Sequence, residues 1–168
     1  MVIYVKEIVE LLTKNKETIS TMESCTGGAI VNAITNIEGA SEVIKYSAVT
    51  YSNEFKIKMG VSAKTIEKYT VYSIEVANEM SKTIAKYTDS DYGIGITGKL
   101  NRVDKYNPFG EDNIVYISIY SKKENSFHNA TVECTKESRE LNKSLVLNTI
   151  ILLLKSIIKW YNRKLTEE

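Results

Sequence analysis

Glu23-Ser24-Cys25-Thr26-Gly27-Gly28 sets a carboxylate, two hydroxyls, a thiol and two glycines side by side. Small hydroxyl residues followed by a glycine pair, where a strand hands over to a helix, expose backbone N–H groups at the helix start. Such groups can hold a phosphate or the oxyanion of an acyl-transfer step. Ser24 can then act as a nucleophile, provided a base takes its proton. Lys56 is the candidate base. It stands one helical turn beyond Asn53 in Tyr51-Ser52-Asn53-Glu54-Phe55-Lys56, so its side chain can reach back toward that helix start. A lysine withdrawn from water loses its proton readily enough for this work. The residues alone also allow a plainer arrangement, in which Ser24 and Thr26 cap a helix and Lys56 joins Lys45 and Lys58 on a solvated surface.

Other chemistry is less well supported. His128 is the single histidine, which excludes any mechanism or metal site that needs two, and it falls on an outer strand. Cys25 and Cys134 have no second cysteine at metal-ligand spacing, so neither a zinc site nor a disulfide scaffold is expected. Cys25 reads as a small buried thiol. Gly93-x-Gly95-x-x-Gly98 matches a dinucleotide fingerprint by letters. Its first two glycines fall inside a strand and no clear helix follows, so a bound dinucleotide, and any other cofactor, is not expected. The eleven tyrosines are scattered in a way that fits packing better than a base-stacking platform.

The elements that must position these residues follow from periodicity and turn chemistry. Apolar spacing predicts a helix over 3–13, and β-branched content a buried strand over 18–22. A helix over 29–34, opened by Ser24 or Thr26, comes next, then a strand over 45–51. Ser52 or Asn53 opens a helix to Met59, Ser62 opens another, and Ser73 a longer one to about Tyr87. Strands are expected over 92–97, 114–120 and 126–133, the last two as an antiparallel hairpin. A stripe at 141, 145, 146, 150, 153, 157 and 160 marks a long C-terminal helix. Strands alternating with helices predict an α/β fold, a three-layer α/β/α sandwich on a mixed, mostly parallel five-stranded sheet ending in a hairpin. The segments around Ser24, Asn53 and Thr97-Gly98 all leave strands. If those strands are parallel neighbours, the three converge at one end of the sheet.

The whole chain, 1–168, reads as one domain. Twenty-two Lys and Arg against 21 Asp and Glu leave a net charge of +1, which gives no global pull toward nucleic acid or acidic membranes. The N-terminus lacks a basic start with an apolar stretch behind it. Leu145 to Ile158 is interrupted by Asn148, Thr149, Lys155 and Ser156, short of the ~18–20 uncharged residues that span a bilayer. A cytoplasmic protein without nucleic-acid or membrane partners is expected.

Taken in order, the motif at 23–28, Gly39-Ala40-Ser41, Tyr51-Ser52-Asn53 with Lys56, Gly60-Val61-Ser62, Ser73-x-Glu75-Val76-Ala77, Thr97-Gly98 and Val115-Tyr116 resemble the CinA C-terminal domain family, the nicotinamide-nucleotide amidases. The agreement is colinear from about residue 4 to 160. It is closest to a stand-alone form, without the N-terminal cofactor-type domain that many CinA proteins carry. The resemblance implies metal-independent hydrolysis of the carboxamide of nicotinamide mononucleotide, or of a related small amide, to the acid and ammonia. It also implies a small-molecule nucleotide as ligand and a homo-oligomeric state. Ser24 matches the family's nucleophile and Lys56 its base, with Tyr51, Asn53 and Glu23 arranging the pocket. Thr26, Gly27, Gly28, Thr97 and Gly98 match groups near the substrate.

Two departures stand out. Lys99-Leu100-Asn101-Arg102-Val103-Asp104 replaces an alanine, glycine and proline-rich loop, and Asn142 falls where the amidases carry an arginine. Arg102, Lys99 or Arg139 are the candidates to hold a phosphate instead. A second class of function therefore stays open, a non-catalytic ligand-binding or protein-interaction module on the same fold. Lys56 favours the enzyme, because a binding module needs no base. The altered loop favours the module.

Overall fold

The structure is a computed structural model. It describes residues 2–167, and side-chain surroundings over 4–160. The elements run α1 (Val2–Asn15), β1 (Ile19–Glu23), α2 (Ala29–Thr35), β2 (Ile44–Val49), α3 (Asn53–Lys58), α4 (Ala63–Tyr69), α5 (Ile74–Thr88), β3 (Tyr92–Gly98), β4 (Ile114–Ser121), β5 (Ser126–Glu133) and α6 (Arg139–Glu167). The strands form one sheet in the order β2-β1-β3-β4-β5. β1 pairs in parallel with both β2 and β3, while β3–β4 and β4–β5 are antiparallel. Hence β1, β2, β3 and β5 point one way and β4 the other. The α/β sandwich with a mixed sheet and a closing hairpin is the architecture that the alternation of elements predicts.

The two faces of the sheet differ because alternate residues along each strand differ. Tyr92, Ile94 and Ile96 of β3 and Val115, Ile117 and Ile119 of β4 are buried in a large core with α1, α2 and α6. The opposite face presents Gly93, Gly95 and Ser118 to α5. A Cβ on Gly95 would lie 2.3 Å from the Ala77 carbonyl oxygen, and one on Gly93 would lie 2.0 Å from that of Ser81. Ser81 and Ser118 hydroxyls bond each other at 2.9 Å across this contact. The glycines that spell a dinucleotide motif in letters are therefore a seat for α5.

Two expectations are displaced. The buried face of α6 is Asn142, Val146, Leu147, Ile150, Ile151, Leu154, Ile157 and Ile158, whereas Leu141 and Trp160 at the ends of the expected stripe are exposed. By length and composition α6 is also apolar enough over 139–160 to cross a membrane, despite its interruptions. Here it packs on the sheet, and Lys155 and Lys159 pair with Glu7 of α1 at 2.5 and 2.6 Å. The second displacement is at α2. Neither Ser24 nor Thr26 caps it, because Gly28 occupies the cap position in a left-handed conformation, φ 92°. By contrast Ser52, Ser62 and Ser73 cap α3, α4 and α5 with their hydroxyls, as serine at a helix start does.

Candidate active site

Parallel pairing of β1 with β2 sets Glu23 opposite Val49, so the residues that follow, Ser24 and Thr50, leave the sheet side by side. The Thr50 N–H donates to the Glu23 carbonyl at 2.8 Å and locks the two exits together. α3 starts a few residues later, capped by Ser52, and carries Lys56 back over both. The Lys56 Nζ donates to the Thr50 carbonyl at 2.7 Å and to the Ser24 Oγ at 3.1 Å. Sequence spacing can put Lys56 one turn into a helix. Only the β1–β2 register puts Ser24 within its reach.

Lys56 is 1% exposed. Its hydrogen-bond acceptors are neutral oxygens, and burial lowers its pKa from 10.5 to about 8. Burial pushes the neighbouring Cys25 thiol up to about 12, so the thiol stays protonated at neutral pH. Of the two small nucleophiles in the turn, the serine is thus the one with a base at hand.

The remaining turn residues are occupied differently from expectation. Glu23 is fully buried, and its carboxylate accepts from the Thr26 hydroxyl at 2.7 Å and from the N–H groups of Gly28, Ile30 and Val31 at 3.0 to 3.3 Å. The start of α2 holds the protein's own carboxylate, which is where an external anion would otherwise sit. The Gly27 N–H donates to the Ser24 carbonyl at 3.0 Å. Glu23, Thr26, Gly27 and Gly28 therefore shape the turn, and the Gly27 and Gly28 amides are not free to face a substrate. Thr97 is likewise turned away, its hydroxyl donating to the Val71 carbonyl at 2.9 Å. Gly98 follows it with φ 149° and a Cβ-sized gap of only 2.5 Å to Val115, so the chain can leave the sheet there only as glycine.

A cleft of about 740 Å³ opens over Ser24. Tyr51, Asn53, Gly98 and Arg139 line it, together with Lys99, Leu100 and residues 102–107. The Arg139 guanidinium donates to the Tyr51 hydroxyl at 3.3 Å, tying the start of α6 to the β2–α3 connection. Asn142 is buried and clamps both the N–H and the carbonyl of Lys136 at 2.9 Å. It does not face the cleft. Lys99 is also committed, with its ammonium 2.8 Å from Asp112 and over the Tyr72 ring. That leaves Arg102 and Arg139 as the exposed cations of the proposed set.

Three contributors escape a reading of spacing. Thr50 acts through its backbone carbonyl, which no side-chain pattern reports. Tyr72 and Asn107 reach the cleft from segments far from the motif, and the Asn107 oxygen accepts from the Asn53 side chain at 3.0 Å.

The geometry has counterparts among known proteins. The sequence profile of the CinA C-terminal domain matches residues 3–157. A CinA-like protein of Endomicrobium trichonymphae is 38% identical over 151 residues, 88% of this chain and 34% of that protein. A putative competence-damage inducible protein of Clostridium perfringens is 48% identical over 95 residues, 55% of this chain and 23% of that protein. The chain thus spans about a third or less of the length of these curated relatives in the alignments. Among solved structures, a CinA superfamily protein of Klebsiella pneumoniae superposes with a TM-score of 0.82 at 19% identity, covering 94% of this chain and 97% of that one. A competence/damage inducible protein of Agrobacterium tumefaciens gives 0.75 at 23% identity, covering 93% and 94%. At these identities the superpositions speak for the fold, and the profile, matched over almost the whole length, speaks for descent. The chain belongs to the CinA C-terminal domain family.

Proposed function

We propose that this chain is a metal-independent amidohydrolase that uses Ser24 as nucleophile and Lys56 as base on the carboxamide of nicotinamide mononucleotide or a related small amide. The observation that carries the reading is the buried Lys56 ammonium, 3.1 Å from Ser24 Oγ and lowered to about 8. Burying a lysine beside neutral acceptors is unfavourable for folding, and a purely binding role gives no reason for it. Neutral Lys56 takes the Ser24 proton as Oγ bonds to the carboxamide carbon. The carbonyl oxygen becomes negative and is met by backbone amides. With the Gly27 and Gly28 amides engaged, those of Cys25 and Thr26 are assigned here, since neither has a backbone acceptor among the described residues. Protonated Lys56 then returns its proton to the departing nitrogen, and ammonia leaves. Water, deprotonated by the same lysine, releases the carboxylic acid and restores Ser24. Arg102 and Arg139 at the cleft are assigned to a phosphate group of the ligand.

The test is release of ammonia from nicotinamide mononucleotide by the purified chain. Ser24→Ala and Lys56→Ala should each lower kcat by about a hundredfold or more, and the double variant should be scarcely worse than either. Near-normal turnover in both single variants would leave Ser24 without a chemical role and favour the binding module.

A further inference from the structure

The loop that follows Gly98 is wired directly to Asn53. Asp104 accepts from the Tyr72 hydroxyl, from the Tyr106 N–H at 2.9 Å and from the Asn107 side-chain amide at 3.0 Å. Burial works to raise the Asp104 carboxyl, but the bonds from Tyr72, Asn107 and the backbone outweigh it and hold it down at about 2. It is therefore a carboxylate, which can only accept. An asparagine side chain has one donor end and one acceptor end. With its NH₂ drawn to Asp104, Asn107 must turn its oxygen the other way, and that oxygen accepts from the Asn53 NH₂ at 3.0 Å. Asn53 is fixed in turn by the same reasoning. Its NH₂ is drawn toward the loop, and its own oxygen has no donor among the described residues. Asn53 lines the same cleft as Ser24.

We infer that Asp104, acting through Asn107, orients the Asn53 carboxamide so that its oxygen is offered to the ligand, and that this makes the cleft select an N–H-bearing carboxamide over the corresponding carboxylate. The inference rests on the amidase reading above. A carboxamide NH₂ donates to the Asn53 oxygen. The carboxylic acid formed by hydrolysis is ionised, has only acceptors, and is left facing another acceptor. Two amides in series thus carry the sign of a carboxylate from the loop to the reacting end of the ligand. Asp104 and Asn107 are positioning residues that favour substrate entry and product exit together.

The experiment is equilibrium binding to the Ser24→Ala chain, which removes turnover. The probes are nicotinamide mononucleotide and nicotinate mononucleotide, which share the phosphate and ribose and differ at the carboxamide alone. A pH of about 9 keeps Lys56 largely neutral, so that its charge does not favour the acid. The amide should bind about tenfold tighter than the acid, and Asp104→Asn or Asn107→Ala in the same background should bring the ratio to within about threefold. Asp104→Asn keeps the shape but lets the asparagine present either end, whereas Asn107→Ala cuts the relay at a surface loop that tolerates truncation. A general loosening of the loop weakens both ligands alike and leaves the ratio unchanged, and that result overturns the inference. So does the absence of any preference in the Ser24→Ala chain. If the wild-type chain releases ammonia while the ratio stays fixed, the relay alone falls. If it releases none and neither nucleotide binds, the amidase reading falls with it.

Discussion

Lys56 draws its usefulness from the same burial that makes it a liability. Folded, it titrates at about 8, against an ordinary value of 10.5. Below pH 8 it is charged in both states, and the folded chain bears the unfavourable desolvation. Between about 8 and 10.5 the unfolded chain keeps a proton that the folded chain has lost, so stability rises with pH across that window. Lys56→Met removes the effect. At pH 7 the variant should be more stable by about 1–3 kcal/mol, the desolvation gain less the two lost hydrogen bonds, and the advantage should shrink by pH 10. Urea melts at the two pH values check this, and an advantage that stays constant would mean that Lys56 is not buried as a cation. Activity depends on the proton in the same sense. Turnover by the wild-type chain should rise through about pH 8 and level off above it, as the fraction of neutral Lys56 rises. A profile flat from pH 6 to pH 10 would assign the base elsewhere. Ser24 and Lys56 were both legible as candidates from residue type and spacing. What spacing could not say is whether Lys56 is buried, and that property separates a base from a surface charge.

At the scale of elements, the β1–α2 turn is held by a buried carboxylate. Glu23 satisfies three N–H groups and the hydroxyls of Thr21 and Thr26. Glu23→Ala strands these donors in the interior. It should cost about 3–5 kcal/mol, a fall in Tm of roughly 10 °C for a domain of this size. Calorimetry decides, and a drop of only a degree or two would mean that the turn holds itself. The sequence pattern of a hydroxyl pair and two glycines pointed to an anion site here. The anion turns out to be internal, because a glutamate directly before the turn reaches the α2 amides before any ligand can. Caps at Ser52, Ser62 and Ser73 were legible, since each is a serine just before an amphipathic run and the bond is local. The α6 stripe was right at 146, 150 and 157 and wrong at its two ends, Leu141 and Trp160. Its apolar residues go nearly all the way round, so composition does not single out a face, and the sheet chooses one.

For the whole molecule, the distance between α5 and the sheet is set by Gly93 and Gly95. A methyl at Gly95 meets the backbone of α5 at 2.3 and 2.5 Å, atoms that cannot move without shifting the helix. Gly95→Ala should therefore destabilise the fold by about 3 kcal/mol. It should also lower activity beyond what the stability loss explains, because α5 carries the Ser73 cap and packs beside the segment bearing Tyr72. Thermal melts paired with ammonia release test both parts, and a neutral substitution would show that the contact is looser than drawn.

Local rules were enough for the element types, the alternation that makes an α/β sandwich and the serine caps; they offered Ser24 and Lys56 as candidates, and the family resemblance singled the two out as a pair. Each of these rules depends on periodicity, on one turn of helix or on residue chemistry, all of which lie within a few positions along the chain. The tertiary structure alone decided which atoms meet. The parallel register of β1 with β2 brings Ser24 to Lys56, and the Thr50 carbonyl joins them through its backbone. The return of the 99–112 segment brings Asp104 and Asn107 to Asn53 across more than fifty residues, and α6 brings Arg139 to Tyr51 across 88. Contacts at such separations depend on how strands pair and how helices lie on them, and neither leaves a mark in the spacing of the residues that finally touch.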